Sequence, residues 1–496
     1  MRERKIRLFL KGKSENKIHP YLYKNSVDLW LMGCMYQGMM MFNDELELVN
    51  RLTEEVNSNS SFDEYYIKLK KGMVWSDGKP ISSQDILFSL ELILSPSAPK
   101  ELAYYLINID GAEAYKSAIS DQIDGIKLIS PEEAIIKLVL PDPFFKQRLL
   151  TPIVPSHIYS HIDHKDFFEN NYKESYISCG PYILTAKKND SFCFEQNPHF
   201  HLGCPKIQNM EISLGDSEDL YNKIRNDEVD FAEITYEDAE FIEGNIPNFN
   251  DNFELHALEK PLINFLIFNH NNQLLKNKNF RKAIAHAIDK QTINDKLYGG
   301  YAENLDQYYS KLLGKYKGDK IVEYQFDIDY SKEIIKAEKD LPRNLQLRLG
   351  CNISNTRQHK MAQMVTNQLE KIGIKIELIR FKGGYDWKTD FLEDKLDMFI
   401  LEYQHLISPD PSKLFAANSF FIELIKWKCP ENEKLISALS VDDKDGYRQW
   451  SNFISDELPV LFLFSPLELQ FIRKSIYNLK PSPRGLLWNI HELEIL

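Results

Sequence analysis

The sequence predicts an α/β fold, or a mixed α+β fold, and an alternation of strand and helix patterns in its second half is the main evidence. Leu345, Leu347 and Leu349 alternate with polar residues, as in a strand with one buried face. A helical face and a second alternating strand follow; their apolar residues are Met361, Met364, Val365, Leu369 and Ile372, and then Ile374, Ile376 and Leu378. Such a β-α-β unit predicts parallel strands with helices packed on the sheet.

Two further regions support this class. Residues 66–70 alternate as a half-buried strand, and a turn at 76–80 leads to Ser82 and Asp85, which have the spacing of a capping box at the start of a helix. A second helix is predicted from Phe280 to Leu297, because apolar residues recur at helical spacing and two glycines follow as a C-terminal cap.

Length and composition limit the possible classes. The chain has 496 residues, whereas single cores stop growing near about 250–300 residues, so we expect several domains or one large bilobal fold. Hydrophobic residues make up 43% and charged residues 27%, which excludes a disordered chain. The net charge of −13 repels phosphate backbones, so nucleic acid is not expected as a direct partner.

Targeting and cysteine patterns give three expectations. No apolar run approaches the roughly 18–20 residues of a membrane span, so no transmembrane segment is predicted. The basic start lacks a following apolar signal region; the protein is extracytoplasmic, at the cell surface or in the periplasm, if a leader was removed, and cytoplasmic if Met1 is the native start. The six cysteines include no C-x-x-C pair, and free thiols are expected.

Short segments in a fixed order carry a family resemblance over nearly the whole chain. They are 46–56, 74–90, 109–115, 153–159, 179–183, 266–270, 280–289 and 298–302. Each segment alone is weakly specific, but the ordered set resembles the family 5 extracytoplasmic solute-binding proteins, which are the receptors of dipeptide, oligopeptide and nickel ABC importers. The resemblance implies a bilobal periplasmic-binding-protein-like fold of class II, large type, with an extra subdomain inserted in the first lobe.

The resemblance also implies a domain division and a place for the ligand. Lobe I comprises 1–50, 160–257 and 465–496, and 51–159 form its inserted subdomain. Lobe II comprises 258–464. Hinge strands are expected near 256–268 and 458–466. The ligand is expected in the cleft between the lobes, where closure excludes water and is driven only by tighter binding to the closed state.

A methionine-rich segment, 30–41, is the first candidate for ligand contact. Three interpretations stay open for it. Five methionines with Cys34 could bind a soft metal such as Cu(I). They could instead form a deformable apolar wall, with Trp30, Met32 and Tyr36 reaching the ligand, or plain core.

In the second lobe, 385–389 resembles a family segment whose tryptophan packs on bound peptide, and 397–411 resembles a strand and loop that line the ligand. The implied contacts are Trp387, Tyr403, Gln404 and His405. Peptide binders of the family commonly place an aspartate in this loop for the ligand α-ammonium. This chain has no carboxylate at 405–407, which favours a blocked, anionic or chelated ligand over a free-amine peptide.

The histidines allow a metal site but do not require one. His157, His161 and His164 have spacings of four and three and could share one helical face as zinc ligands, although the first coincides with a structural histidine of the family. His405 could instead complete a nickel or cobalt chelate. On balance, neither a protein-bound metal nor a cofactor is predicted.

The functional prediction is a substrate-binding protein of an ABC importer. It would capture a peptide-like or similarly sized polar solute by hinge closure and pass it to the permease subunits, acting as a monomer. No enzyme motif occurs, such as G-x-S-x-G or a Walker loop, so no enzyme is predicted. The alternatives are a cytoplasmic ligand-sensing module of the transcriptional-regulator type and a nickel or metal-chelate receptor.

Overall fold

The computed structural model describes most of the chain, in two compact units. The described residues are 5–14, 18–22, 25–43, 45–104, 106–169, 172, 175–188, 190–342, 344–382, 386–404, 407–440, 443–480 and 488–495. Unit 1 comprises Met1–His256 and Leu469–Leu496, and unit 2 comprises Ala257–Glu468. The chain therefore passes between the units twice, after His256 and after Glu468. The first of the two expected hinge segments contains its crossing, whereas the second, 458–466, lies inside unit 2.

Strands and helices alternate along both units. The strands are β1 (Lys5–Lys11), β2 (Met40–Phe42), β3 (Leu48–Asn50), β4 (Thr53–Ser58), β5 (Glu64–Leu69), β6 (Ile126–Ser130), β7 (Glu133–Lys137), β8 (Tyr182–Lys188), β9 (Ser191–Gln196), β10 (Asn209–Gly215), β11 (Phe231–Ile234), β12 (Phe253–Leu258), β13 (Leu262–Phe268), β14 (Ala302–Asn304), β15 (Leu345–Asn352), β16 (Ile374–Phe381), β17 (Met398–Gln404), β18 (Val460–Pro466), β19 (Glu468–Arg473), β20 (Ile476–Tyr477) and β21 (Glu494–Ile495).

The α-helices are α1 (Ser26–Met35), α2 (Ser83–Leu94), α3 (Lys100–Ala103), α4 (Ala112–Lys116), α5 (Ser156–Tyr159), α6 (His164–Phe168), α7 (Ser217–Arg225), α8 (Tyr236–Asn245), α9 (Phe249–Asn252), α10 (Gln273–Lys276), α11 (Lys278–Ala287), α12 (Lys290–Tyr298), α13 (Ile328–Ala337), α14 (Thr356–Glu370), α15 (Asp386–Leu392), α16 (Ser412–Phe415), α17 (Phe420–Ile425), α18 (Pro430–Ala438) and α19 (Lys444–Glu457). Short 3-10 helices occupy Phe145–Leu150, Lys311–Tyr316 and Ile490–Glu492. No helix in the described part of the chain is long and apolar enough to cross a membrane.

Unit 1 contains a mixed seven-stranded sheet and a separate four-stranded sheet. The larger sheet has the order β12-β19-β11-β1-β10-β9-β8, in which β1 is parallel to both β10 and β11. The smaller sheet, β4-β5-β7-β6, is antiparallel and contains strands only from the region 53–137. Helix α2 begins with the predicted capping box, in which Ser82 and Asp85 each accept a hydrogen bond from the other's backbone N–H group.

Unit 2 is built on a mixed six-stranded sheet with the order β14-β18-β13-β17-β15-β16. Strands β15 and β16 pair in parallel through α14, which confirms the predicted β-α-β unit. The two faces of the sheet carry separate apolar cores, with Met361 and Val365 of α14 on one face and Trp387 and Phe391 of α15 on the other. A helix on each face is what right-handed crossovers produce when the chain reverses its direction across the sheet.

The predicted helix 280–297 is wrong in one respect, because the structure has two helices there. Helix α11 ends at Ala287, and Ile288 has extended backbone angles. Asp289 then caps the start of α12 by accepting a hydrogen bond from the N–H group of Thr292. The predicted glycine cap is confirmed at Gly299, which has left-handed angles with φ of 59°.

Buried histidines make the free energy of unfolding depend on pH. His19 is 1% exposed, with aromatic rings around it, and His270 is 8% exposed. Burial lowers the pKa of His19 well below its ordinary value and lowers the pKa of His270 to about 3. Below the pKa of the unfolded state, near about 6.5, the unfolded chain takes up protons that the folded chain excludes. Stability is therefore lost as the pH falls through this range.

As the pH falls from about 6 to about 4, we expect the free energy of unfolding of the His19→Phe variant to decrease less steeply than that of the wild type. The difference in slope should be about 1.4 kcal/mol per pH unit. Phenylalanine keeps an aromatic ring among those of Tyr21, Tyr159 and Phe167, and it takes up no proton. Urea unfolding at a series of pH values would measure the slope. The control is His161→Gln, at an exposed position. An unchanged acid slope in the His19 variant would contradict the prediction.

Candidate functional site

The topology of unit 2 indicates where a ligand can bind on that unit. Strand β15 lies between β16 and β17 and is parallel to both, so the chain reverses its direction across the sheet after β16. In open α/β sheets, ligands bind outside the carboxyl ends of the strands at such a switch point. The carboxyl ends of β15 and β17 are at Asn352 and Gln404. Strand β13 begins at the same edge, because Leu262 pairs with Gln404.

Two of the sequence-predicted residues of lobe II lie at this edge. Gln404 ends β17 and is exposed, and Tyr403 before it is half-buried, with its ring centroid 6.4 Å from that of Phe265. His405 lies outside the described residues. The carboxylate of Asp410, in the turn beyond, accepts a 2.9 Å hydrogen bond from the N–H group of Ser412, the first residue of α16.

Trp387 lies in α15. It is 7% exposed and stacks on Phe399, with ring centroids 4.0 Å apart and planes 9° apart. The ammonium group of Lys388 lies over its ring, 5.8 Å from the centroid. In this structure, Trp387 is therefore part of the core on the α15 face of the sheet.

A polar cluster occupies the α14 face at the same edge, and it comes from four different elements. Glu402 of β17 is directly opposite Asn264 of β13. Arg357, in the first turn of α14, lies over the ring of Tyr298 at 5.1 Å from the centroid. Burial raises the pKa of Tyr298, whereas Arg357 lowers it. Partial removal of water also raises the pKa of Glu402, against the opposite effect of Arg357 and Lys260. The cluster therefore holds charges of both signs.

Unit 1 has a comparable edge at the carboxyl ends of β1, β10 and β11. Lys11, at the end of β1, forms a 2.7 Å ion pair with Asp238, and Tyr221 donates a 2.9 Å hydrogen bond to the same carboxylate. Burial acts to raise the pKa of Asp238, but the ion pair with Lys11 and hydrogen bonds from Thr235 and Ser217 prevail and lower it to about 2. Trp30 of α1 donates a 2.8 Å hydrogen bond from its indole N–H group to Glu233 of β11. Trp30 is thus held at this edge, and 9% of it is exposed.

The methionine-rich segment lies mainly in the core of unit 1. Met32 is 4% exposed and Tyr36 is 2% exposed, and both belong to the main apolar cluster of the unit. Other buried members from the same segment are Trp30, Leu31, Cys34, Met35, Met39 and Met40. The side chain of Met41 is half-buried. In this structure, Met32 and Tyr36 therefore pack in the core, as in the third of the three interpretations of this segment.

Among the described residues, potential metal ligands are not brought together. Within the described ranges, no group of three or more histidine, cysteine, aspartate or glutamate side chains is placed to hold a metal ion. His157 instead contacts Asp77, with 2.8 Å between Nε2 and Oδ2. The six cysteines form no disulfide bond with one another in the described structure.

Sequence reasoning missed the polar residues that break the apolar rows on the strands. In β17, Met398 and Ile400 face the α14 core, and Glu402 takes the next position on that face. In β13, Leu266 and Phe268 face the same core, and Asn264 precedes them on that face. The sequence did contain a signal for these residues. On each strand, a polar residue near the end takes a position that the alternation assigns to the buried, apolar face.

The chain is similar to known receptor proteins over most of its length. It is 21% identical over 491 residues to the oligopeptide-binding protein AppA of Bacillus subtilis (strain 168), covering 92% of this chain and 86% of that relative. It is 24% identical over 287 residues to the oligopeptide-binding protein OppA of the same organism. That alignment covers 56% of this chain and 51% of the relative, so it spans about half of the relative's length.

The structure also matches a solved member of this group. The AppA protein of Bacillus subtilis, solved in complex with a nonapeptide, superposes with a TM-score of 0.73 at 18% sequence identity, covering 100% of this chain and 99% of that one. This likeness confirms the predicted periplasmic-binding-protein-like α/β fold.

The match to a family model decides the membership. The model of the bacterial extracellular solute-binding proteins, family 5 (middle), matches residues 47–420, which is more than half of the chain. This family comprises substrate-binding receptors, which confirms the prediction that the protein is not an enzyme. The chain belongs to the bacterial extracellular solute-binding proteins of family 5.

Proposed function

We propose that this protein is the solute receptor of an ABC importer and that its ligand is a peptide or a peptide-like polar solute. The family match over residues 47–420 is the observation that carries the proposal. The oligopeptide-binding relative AppA, which aligns over 92% of this chain, favours a peptide over the regulator and metal-chelate alternatives. The receptor would act outside the cytoplasm as a monomer and deliver its ligand to the permease subunits.

The proposal includes the domain division expected from the sequence. A first lobe of 1–50, 160–257 and 465–496 would carry the inserted subdomain 51–159, and 258–464 would form the second lobe. Two observations support this division. The boundaries between the two compact units lie at 256/257 and at 468/469, and all strands of the four-stranded sheet of unit 1 come from 53–137.

The proposed ligand contacts are those predicted from the sequence. They are Trp30, Met32, Tyr36, Trp387, Tyr403, Gln404 and His405. Support is strongest for Tyr403 and Gln404, which lie at the switch-point edge of unit 2, and for Trp30, which lies at the carboxyl edge of unit 1. Met32, Tyr36 and Trp387 are buried in this structure, so a ligand would reach them only after side chains move.

We expect the full-length protein to be stabilised by peptide. A ligand that binds only the folded state at 100 times its Kd adds about 2.7 kcal/mol to the free energy of unfolding. Native mass spectrometry would detect ligand that stays bound after purification, and thermal unfolding with synthetic peptides of graded length would measure the stabilisation. Free amino acids of the same composition are the control. The proposal would be contradicted if the purified protein carried no ligand and no peptide raised its unfolding temperature.

A further inference from the structure

The two connections between the sheet of unit 1 and the sheet of unit 2 are short and lie side by side. Strand β12 leads into β13 through residues 259–261, and β18 leads back into β19 through Leu467 alone. In unit 1, β12 is the neighbour of β19, and in unit 2, β13 is the antiparallel partner of β18. The chain crosses between the units close to these connections, at 256/257 and at 468/469.

An ion pair joins the two connections. The Nζ atom of Lys260 is 3.1 Å from Oε2 of Glu468, the first residue of β19. The hydroxyl group of Ser465, near the end of β18, lies 3.5 Å from the backbone carbonyl oxygen of Lys260. The side chain of Lys260 is 42% exposed and that of Glu468 is 20% exposed. Since water reaches both charges, the strength of this pair depends on how much water surrounds it.

The pair is placed where a hinge motion would act. Closure of a two-unit receptor puts the backbone rotation on a few residues of its connections. Pro261 has a fixed φ angle, and the N–H group of Leu467 donates a 3.0 Å hydrogen bond to the carbonyl of Tyr301 in unit 2. Rotation is therefore left mainly to the residues beside these two, which include Lys260 and Glu468.

The pair also lies on the ligand side of unit 2. Strand β13 begins at the switch-point edge, directly after the connection that contains Lys260. Burial raises the pKa of Glu402, near the end of β17, and Arg357 and Lys260 oppose this rise, which places Lys260 near that edge. A ligand at this edge, and closure over it, would remove water from around the ion pair. The attraction between its two charges increases as water is removed.

We propose that the Lys260–Glu468 ion pair stabilises the closed state of the receptor and so tightens ligand binding from the hinge. The inference rests on the proposed receptor function and goes beyond it, because it assigns part of the affinity to residues of the connections. A pair that is stronger in the closed state raises the population of that state. Its removal therefore raises the apparent Kd by the factor that the pair contributed.

The test is a double-mutant cycle, measured by isothermal titration calorimetry of the full-length protein with a synthetic alanine-rich peptide that has free termini. The variants are Glu468→Gln, Lys260→Gln and the combination of both. The control is Lys68→Gln, which removes a 3.0 Å ion pair with Glu54 between the neighbouring strands β4 and β5 of unit 1.

Glu468→Gln should raise the Kd about two- to fivefold, the range expected of a partly exposed ion pair, and Lys68→Gln should leave it unchanged. In a protein that already carries Lys260→Gln, the Glu468→Gln substitution should have no further effect, because the pair is already lost. This expectation holds even if the charge of Lys260 also acts on the ligand. Stopped-flow fluorescence should show the loss as faster dissociation, since the ligand leaves when the receptor opens.

Three results would overturn the inference and leave the receptor function intact. They are a Glu468→Gln variant with the Kd of the wild type, an effect of Glu468→Gln that persists undiminished beside Lys260→Gln, and an equal rise in Kd for the control. Failure of the wild type to bind the peptide would instead count against the proposed peptide ligand, and the inference would fall with it.

Discussion

Replacing Asp230 by alanine should lower the free energy of unfolding by about 3–5 kcal/mol, because it leaves two arginines without their shared carboxylate. Asp230 is 4% exposed and accepts 2.9 Å and 2.7 Å hydrogen bonds from the guanidinium of Arg7 and a 2.6 Å hydrogen bond from that of Arg473. Arg473 is itself only 8% exposed, so water can replace the lost carboxylate only in part. Urea unfolding followed by circular dichroism would measure the loss.

The matched control is Asp227→Ala, which removes the other carboxylate that contacts Arg473. Asp227 forms a 2.6 Å ion pair with Arg473, but its side chain is 55% exposed. Exposed pairs contribute about 0–1 kcal/mol, so this variant should lose far less stability than Asp230→Ala. Similar losses for both variants would contradict the assignment of the buried carboxylate as the decisive partner.

The same carboxylate predicts a pH dependence of the difference between wild type and variant. Burial of Asp230 acts to raise its pKa, but the hydrogen bonds and charges of Arg7 and Arg473 prevail and lower it. Its contribution is therefore complete above the unfolded pKa, near about 3.9, and is lost as the pH falls through the lower folded pKa. We expect the difference to be constant from neutral pH down to about pH 5 and to shrink only in stronger acid.

Replacing Trp450 by alanine should destabilise unit 2 by about 3–5 kcal/mol, because it opens a cavity in a core of aromatic rings. Trp450 is 0% exposed, and its ring lies 5.4 Å from that of Phe415 and 5.5 Å from that of Tyr308. Its indole N–H group donates a 2.9 Å hydrogen bond to the buried side chain of Asn432, which the variant would leave without that donor. Thermal or urea unfolding would measure the effect.

Trp488→Ala is the control for this prediction. Trp488 is half-buried, and its indole N–H group donates a 2.9 Å hydrogen bond to the backbone carbonyl of Lys480. A substitution outside a packed core should cost about 1 kcal/mol or less. If both tryptophan variants lost the same stability, the packing of Trp450 would not be the cause.

Local patterns predicted the elements of the fold well where one face of an element is buried. The alternation in 345–349 and the spacing in 361–372 follow directly from burial on one side, and both elements are present. The break between α11 and α12 was missed, because its apolar residues keep helical spacing across the break. The first helix stops here because Asp289 caps the start of the second helix. The spacing of apolar residues carries no information about such a cap.

The candidate site was harder to predict, because it depends on which strands become neighbours. Tyr403 and Gln404 were found through the family resemblance, and they lie at the switch-point edge. Glu402 and Asn264 were missed, since they are 138 positions apart and meet only through the pairing of β13 with β17. For Met32, the sequence left a ligand-contacting wall and plain core both open, because a methionine-rich helix in the core has the same composition as one that lines a pocket.

The position of β19 in the larger sheet of unit 1 has a consequence for how the protein is made. This strand lies between β12 and β11, yet it is encoded only at residues 468–473, after the whole of unit 2. A nascent chain on the ribosome therefore lacks the strand that joins β12 to the rest of the sheet until residues 468–473 have been synthesised. Residues 257–468, by contrast, form an uninterrupted stretch that can fold while synthesis continues. Premature termination before residue 468 should thus leave the first half of the product with an open sheet edge, exposed to proteases and to aggregation.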